Sequence, residues 1–297
     1  MSLFSKDALK GKRILITGGG TGLGKGMATH LALHGAEVHL WGRRLEVLQA
    51  AADEINQACD SRRAHVQAVD IRNAELVDAA VERIFQEHGP LTGLINNAAA
   101  NFIAQTKDLS PRAFEAITST VMNGAFFTTQ ACGKRWIERG LKGSVVSTLV
   151  TWIWTGSAFV TPSAMAKAAV NAMTMSLAVE WARYGIRVNA VAPGPFPTDY
   201  AWQMLNPTAE SSVGATQASE VPMGRYGEIA ELANLMLMLQ SDGCDYITGE
   251  TICIDGGHHL AAPSTFAGLT KLQDEDWKNI REASQNASKA SKAERSV

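Results

Sequence analysis

Short β-branched, apolar runs recur along the chain, separated by longer stretches of good helix formers: RILIT (13–17), EVHLW (37–41), AHVQAV (64–69), GLINN (93–97), SVVST (144–148), RVNAV (187–191) and TICID (251–255). Between them, 23–34, 45–58, 73–88, 111–138, 163–183 and 228–240 hold no internal proline and read as helices. Strand and helix in alternation need crossover connections, so the strands run parallel and helices cover both faces of the sheet. The expected fold is α/β: a doubly wound parallel sheet (Rossmann fold), single domain with a C-terminal helical tail. Residues 1–11 form an N-terminal lead, 12–257 the domain and 258–297 a C-terminal extension. In that extension DEDWKNIREASQ (274–285) predicts one helix, and the last ten residues a frayed end.

A chain of 297 residues, 46% hydrophobic and 19% charged, is long enough to bury such a core. Its formal net charge of −2 offers no polyelectrolyte attraction, so neither nucleic acid nor anionic lipid is an expected partner. No run approaches the roughly 18 apolar residues that a membrane span needs. MSLFSKDALKGK has the pattern of neither a secretory signal nor a transit peptide, and ERSV is not a peroxisomal address. Cys59, Cys132, Cys244 and Cys253 lie far apart, which suits reduced thiols and a cytoplasmic location.

TGGGTGLGKG (17–26) stands between the first strand and the first helix. Gly18, Gly22 and Gly24 permit a tight turn, close approach of backbone N–H groups to a pyrophosphate, and close helix–sheet packing. A glycine-rich loop can also be a plain structural turn, but its place in a βαβ unit favours dinucleotide binding by Gly18, Gly19, Gly20, Thr21, Gly22, Leu23 and Gly24. After the second strand come Gly42, Arg43 and Arg44, with no carboxylate to take a ribose 2′-hydroxyl. Two cations there suit a 2′-phosphate, and so NADP(H), unless they are solvated surface arginines; Lys25 adds to the positive field. Asp70, with Ile71, ends the third strand where a carboxylate can accept from an adenine amino group, and Asn97 and Ala98 close the fourth at the ligand-binding edge.

Taken together, TGGGTGLG, Asp70, NNAA (96–99), a lysine early in a later helix and PGPFPT (193–198) resemble the short-chain dehydrogenase/reductase family over residues 12–257. The resemblance implies that Lys167 binds nicotinamide ribose hydroxyls, that Pro193, Gly194 and Phe196 border the nicotinamide, and that the protein is a homotetramer. In most of that family a tyrosine precedes the lysine by four positions and acts as the proton donor. Here Ser163 occupies that position, and Val150 stands where the family's serine is expected.

One subgroup shares this departure. The TGSAFVTPSAMAK frame (155–167), Asn101 in NNAAANFIA (96–104), GRYGEIAELANL (224–235) and the tail FAGLTKLQDEDW (266–277) resemble mitochondrial-type 2,4-dienoyl-CoA reductases. That likeness implies NADPH-dependent reduction of a conjugated enoyl-CoA or dienoyl-CoA thioester in fatty-acid metabolism. Lys167, Ser163 and Asn101 would be catalytic, and Arg72, Asn101 and Phe102 would bind the acyl-CoA substrate. The subgroup's tyrosine, eleven residues before the serine, is replaced by Trp152, whose indole N–H donates one hydrogen bond but delivers no proton at neutral pH. Trp152 is thus either a donor to the thioester oxygen or a packing aromatic. An arginine that contacts CoA in the subgroup is Met204 here. Tyr200, Thr148 and Thr151 are further candidates for an acid, each more often a structural hydroxyl, and two other readings stay open: a short-chain oxidoreductase for a non-CoA enone or carbonyl, with Tyr200 or water as acid, and a catalytically silent NADP(H)-binding protein.

His258 and His259 follow the last strand. Adjacent histidines point apart, and with neither a carboxylate nor a third histidine at ligand spacing no metal is expected. Met173, Met175, Met236 and Met238 read as core fillers.

Overall fold

All seven expected strands form, and each pairs in parallel with its neighbours. The computed structural model describes residues 4–198, 217–261, 269 and 272–293, with 287–293 as backbone alone. The strands are β1 (Arg13–Thr17), β2 (Glu37–Gly42), β3 (Ala64–Ala68), β4 (Gly93–Asn96), β5 (Gly143–Thr148), β6 (Ile186–Pro193) and β7 (Thr251–Ile254), in the order β3-β2-β1-β4-β5-β6-β7. The order reverses between β1 and β4, which opens a crevice at the carboxyl ends of those two strands.

The period of two along each strand divides the core. Ile14 and Ile16 of β1 point to one face, where they meet Met27 and Leu31 of α1 (Gly22–Leu33), Leu48 and Ile55 of α2 (Leu45–Cys59), and Leu232 and Met236 of a helix at Ile229–Gln240. Leu15, between them, points to the other face, with Val77 and Val81 of α3 (Ala74–Glu87), Cys132 and Trp136 of a helix at Gly124–Glu138, and Ala178 and Trp181 of one at Thr161–Trp181. Ile14, Leu15 and Ile16 are all fully buried, each contributing about 1.5–3 kcal/mol from removal of apolar surface from water. Such a strand shows no polar face, hence its uninterrupted apolar sequence.

The stretch 111–138, expected as one helix, is instead α4 (Pro111–Thr118), a π-helical turn at Ser119–Asn123, and α5 (Gly124–Glu138). Ser110 caps α4 by accepting from Ala113 N, with Pro111 in the first turn. The π turn follows from two hydroxyls that compete for ladder carbonyls: Thr118 Oγ1 donates to Phe114 O at 3.1 Å and Thr120 Oγ1 to Ala116 O at 3.0 Å. Two short helices were not expected, α6 (Trp152–Thr155) and α9 (His258–Ala261); between them lie α7 (Thr161–Trp181) and α8 (Ile229–Gln240). The tail helix α10 (Asp274–Ala293) extends beyond the expected 274–285 into residues read as frayed.

α10 docks on the domain. Its Trp277 and Ile280 are buried with Leu269 against Ile103 and Val160, and Trp152 and Phe159 pack on the same cluster. Arg281 Nη2 donates to Asp108 Oδ2 at 3.0 Å, pinning the helix to the loop before α4. Among the described residues, no helix is long and apolar enough to cross a membrane.

At the start of β5 the sheet touches α5 closely: a Cβ at Gly143 would stand 2.4 Å from the Trp136 ring, whose Nε1 donates to Leu91 O at 2.7 Å. Gly143→Ala therefore overpacks a buried, hydrogen-bonded indole and should lower unfolding stability by about 1–3 kcal/mol in denaturant titration, with the far-UV spectrum unchanged. An unaltered midpoint would mean that α5 shifts freely off the sheet.

Candidate active site

The crevice is held open by polar groups. Thr17 Oγ1, at the end of β1, accepts from Asn97 N and Ala98 N, both at 3.0 Å, while Asn97 Nδ2 donates to Thr17 O at 3.1 Å and Gly18 O at 3.3 Å. Behind them the buried Asn96 donates to Thr129 Oγ1 at 2.9 Å and accepts from Thr128 Oγ1 at 2.6 Å. The chain then turns sharply at Gly18, whose φ of 67° is left-handed, and a Cβ at Gly24 would stand 2.1 Å from Gly18 O. Only glycine allows that approach.

A cavity of about 370 Å³ occupies the crevice. Gly18, Gly20, Thr21, Gly22, Leu23 and Gly24 form its floor, joined by Arg43, Arg44, Asp70, Ile71, Arg72, Asn97, Ala98, Asn101 and Phe196. Thr120 and Thr198, which sequence reasoning did not single out, complete the wall. Gly19 is not part of it: it faces β2, where a Cβ would stand 2.9 Å from Leu40 Cδ2. Pro193 and Gly194 end β6 without lining the cavity. α1 begins at the floor with no acidic residue in its first turn and no side-chain bond from its cap, Thr21. Its first N–H groups and the positive end of its dipole are thus aimed at whatever anion enters.

Four of the residues singled out in the sequence have visible protein partners. Asp70 and Arg72 line the cavity as one ion pair, with Arg72 Nη2 at 2.5 Å from Asp70 Oδ2 and Nε at 2.9 Å from Oδ1. The Arg72 guanidinium holds the Asp70 carboxyl below the usual carboxylate range. Lys25 pairs its ammonium with Glu54 Oε2 at 2.6 Å, beside a neighbouring groove that it lines with Thr21 and Gly22. Phe102 turns away from the cavity and packs on Ile117, Val121 and Ala166.

α7 presents Ser163 and Lys167 one turn apart, both buried. Lys167 Nζ donates to Thr148 O at the end of β5, and burial pushes its pKa down to about 8. Thr148 Oγ1, buried beside it, has no hydrogen-bond partner among the described residues. On the cavity wall Asn101 is oriented by a bond from Phe102 N to its Oδ1 at 2.9 Å, so its amide N–H groups remain as donors. Trp152 lies in α6 with its ring against the tail cluster. Next to it Phe159 adopts a left-handed φ of 64°, rare for an aromatic residue. Its ring centroid is 4.5 Å from that of Trp277, and its carbonyl accepts from Ala104 N at 2.9 Å. The tail thus buttresses both loops that carry Asn101 and Trp152, a contact no local signal in the sequence announces. Tyr200 and Met204 lie outside the described residues.

The expectation that no carboxylate stands near the paired histidines is corrected. Asp255, four residues before His259, meets its Nδ1 at 2.8 Å, and Cys253 Sγ lies 3.4 Å from the same atom.

Residues 18–259 match a family model described as enoyl-(acyl carrier protein) reductase. A Caenorhabditis elegans protein named probable 2,4-dienoyl-CoA reductase 3 [(3E)-enoyl-CoA-producing] is 39% identical over 92% of this chain and 89% of its own. A Bacillus subtilis (strain 168) protein named probable 2,4-dienoyl-CoA reductase [(2E)-enoyl-CoA-producing] is 39% identical over 84% of this chain and 97% of its own. Among solved structures, a short chain dehydrogenase from Bacillus anthracis is 42% identical, with a TM-score of 0.76 over 84% of this chain and 98% of that one.

The buried ammonium makes stability depend on pH. Lys167 titrates near 8 when folded and at about 10.5 when unfolded, so the unfolded chain holds the extra proton between those values. Stability rises with pH across that window, and the cost of the buried charge is present in full below it. In denaturant titrations, wild type should gain about 3 kcal/mol relative to Lys167→Met between pH 8 and pH 10.5, with a constant difference below pH 8. A difference that stays flat through pH 10.5 would place the Lys167 pKa at its ordinary value.

Proposed function

The chain belongs to the short-chain dehydrogenase/reductase family, and we propose that it reduces a conjugated 2,4-dienoyl-CoA thioester with NADPH. The reading is carried by one observation: one turn before the buried Lys167 stands Ser163, with no phenol at that position, while Asn101 offers amide donors on the cavity wall. Ordinary ketone reduction needs an acid at that position. Addition to the far end of a conjugated dienoyl thioester does not, because charge accumulates on the thioester oxygen and carbon takes up the proton afterwards.

The cavity fits the cofactor. The loop from Gly18 to Gly24 and the open N-terminus of α1 suit a pyrophosphate, and Arg43 and Arg44, two cations that line the same cavity, suit a 2′-phosphate. When bound, the nicotinamide supplies the hydride. Lys167, charged below pH about 8 and anchored on Thr148 O, donates to ribose hydroxyls, and Ser163 orders the substrate one turn away. Asn101 Nδ2 polarises the thioester oxygen. One such donor is worth about 2.7–4 kcal/mol in the transition state. Trp152 retains an N–H where the related reductases have a phenol, so it donates without ionising. Arg72, held on the same wall by Asp70, would have to release that carboxylate to meet the phosphates of CoA. A homotetramer would cover Phe126 of α5 and Val179 of α7, two exposed apolar side chains.

Purified protein should oxidise NADPH in the presence of 2,4-hexadienoyl-CoA. Absence of turnover at high enzyme concentration would overturn the reading, in favour of a carbonyl reductase if free ketones react or of a silent binding protein if calorimetry still shows NADPH uptake. Joint Arg43→Ala and Arg44→Ala substitution should raise KM for NADPH at least about tenfold, leaving that for NADH unchanged, as two charge-assisted phosphate contacts are lost. Trp152→Tyr should accelerate dienoyl reduction and Trp152→Phe slow it; equal rates in all three proteins would make Trp152 a packing residue only. The two relatives carry different product names, (3E) and (2E), so double-bond position is to be read from the product directly.

A further inference from the structure

Cys253, Asp255 and His259 converge at the carboxyl end of β7, and we propose that they form a binding site for a soft divalent metal ion of the zinc class. Cys253 and Asp255 are two residues apart and so share one side of the chain, and His259 reaches back to them from α9. His259 Nδ1 lies 2.8 Å from Asp255 Oδ2 and 3.4 Å from Cys253 Sγ, and the three ligand atoms all fall within 4.8 Å of one another. In a tetrahedral site with Zn–S of about 2.3 Å and Zn–N and Zn–O of about 2.0–2.2 Å, ligand atoms stand roughly 3.2–3.6 Å apart. The cluster reaches that spacing if Asp255 and His259 separate by a few tenths of an ångström, as the loss of the proton between them would allow, and if Cys253 Sγ, within 4.8 Å of the carboxylate, closes on it.

Charge points the same way. The Asp255 side chain is 5% exposed, and among the described residues no lysine or arginine pairs with it. Its oxygens accept from Gly257 N at 2.9 Å and His259 N at 2.7 Å, neutral donors that hold the carboxylate without cancelling its charge. Entry of a divalent cation balances simply. The Cys253 thiol releases one proton to solvent, His259 moves its proton from Nδ1 to Nε2, and the local charge goes from −1 to 0. Thiolate, imidazole and carboxylate together select zinc-like ions over magnesium or calcium. The Trp154 ring, its centroid 5.2 Å from that of His259, covers the imidazole on its outer side.

The site stands apart from the cofactor cavity, yet close behind a strand end. Gly194 N donates to Ile254 O at 2.9 Å, and a Cβ at Gly194 would stand 2.5 Å from Asp255 Cβ. An ion there would tie β6, β7 and α9 together and leave a fourth ligand position open.

The test is titration of the full-length metal-free protein with Co²⁺, which gives a near-ultraviolet thiolate charge-transfer band only when a cysteine is bound. One ion per chain, the band in wild type, its loss in Cys253→Ser, and at least a tenfold weaker Zn²⁺ affinity in His259→Ala by calorimetry are the expected results. Unchanged melting temperatures of the two metal-free variants show that the fold has survived. A wild-type protein without the band, a band that persists in Cys253→Ser, or equal Zn²⁺ affinity in wild type and His259→Ala would overturn the proposal.

Discussion

The hydrogen bonds between Thr17 and the Asn97–Ala98 turn answer a problem that the topology itself creates. Where strand order reverses, the chain leaves β1 toward one face and β4 toward the other, and the peptide groups at both ends lose their ladder partners. A buried orphan costs about 1–3 kcal/mol. Thr17 Oγ1 takes two N–H groups and Asn97 Nδ2 serves two carbonyls, so four are satisfied by two side chains. The crevice can therefore stay open and polar, and the glycine loop, the end of α1 and the Asn101 wall all take their positions from that junction.

The second electrostatic feature rests on β5 and α7. An ammonium is buried against a strand-end carbonyl and carries a desolvation cost that a methionine of similar length would avoid. The ammonium shares a small void with Thr17, Asn96 and Thr148 among the apolar Val121, Ala125 and Val170, so polar neighbours offset part of that cost. In the proposed reaction this same ammonium is the group offered to the ribose hydroxyls, so cost and chemistry would have one origin.

How far the sequence could be read depended on whether the cause was local. Strands buried on both faces are rich in apolar and β-branched residues, so RILIT and RVNAV announce β1 and β6 within one or two residues of their ends. The glycine loop and the arginines after β2 likewise declare themselves, because strand end, turn and helix start are contiguous. The π turn at 119–123 changes hydrogen-bond register without changing residue preference, and α6 and α9 are each a single turn, too short for any period to show. Within the site, what the sequence does not show is the partners of each residue rather than its type. Arg72 spends its guanidinium on Asp70, Lys25 on Glu54, and Phe102 faces inward to α4 and α7. The nearness of Asp255 to His259 is an i,i+4 relation, invisible until a turn of helix is known to begin there.

The docking of α10 has a consequence for how the protein comes into being. Trp277 and Ile280 lie near the end of the chain, whereas the residues they cover, Ile103, Val160 and the left-handed Phe159, are made more than a hundred residues earlier. During synthesis the sheet and the glycine loop can assemble before the segment that covers those residues has been made. A nascent protein can thus have its glycine loop in place before the segments that carry Asn101 and Trp152 are buttressed.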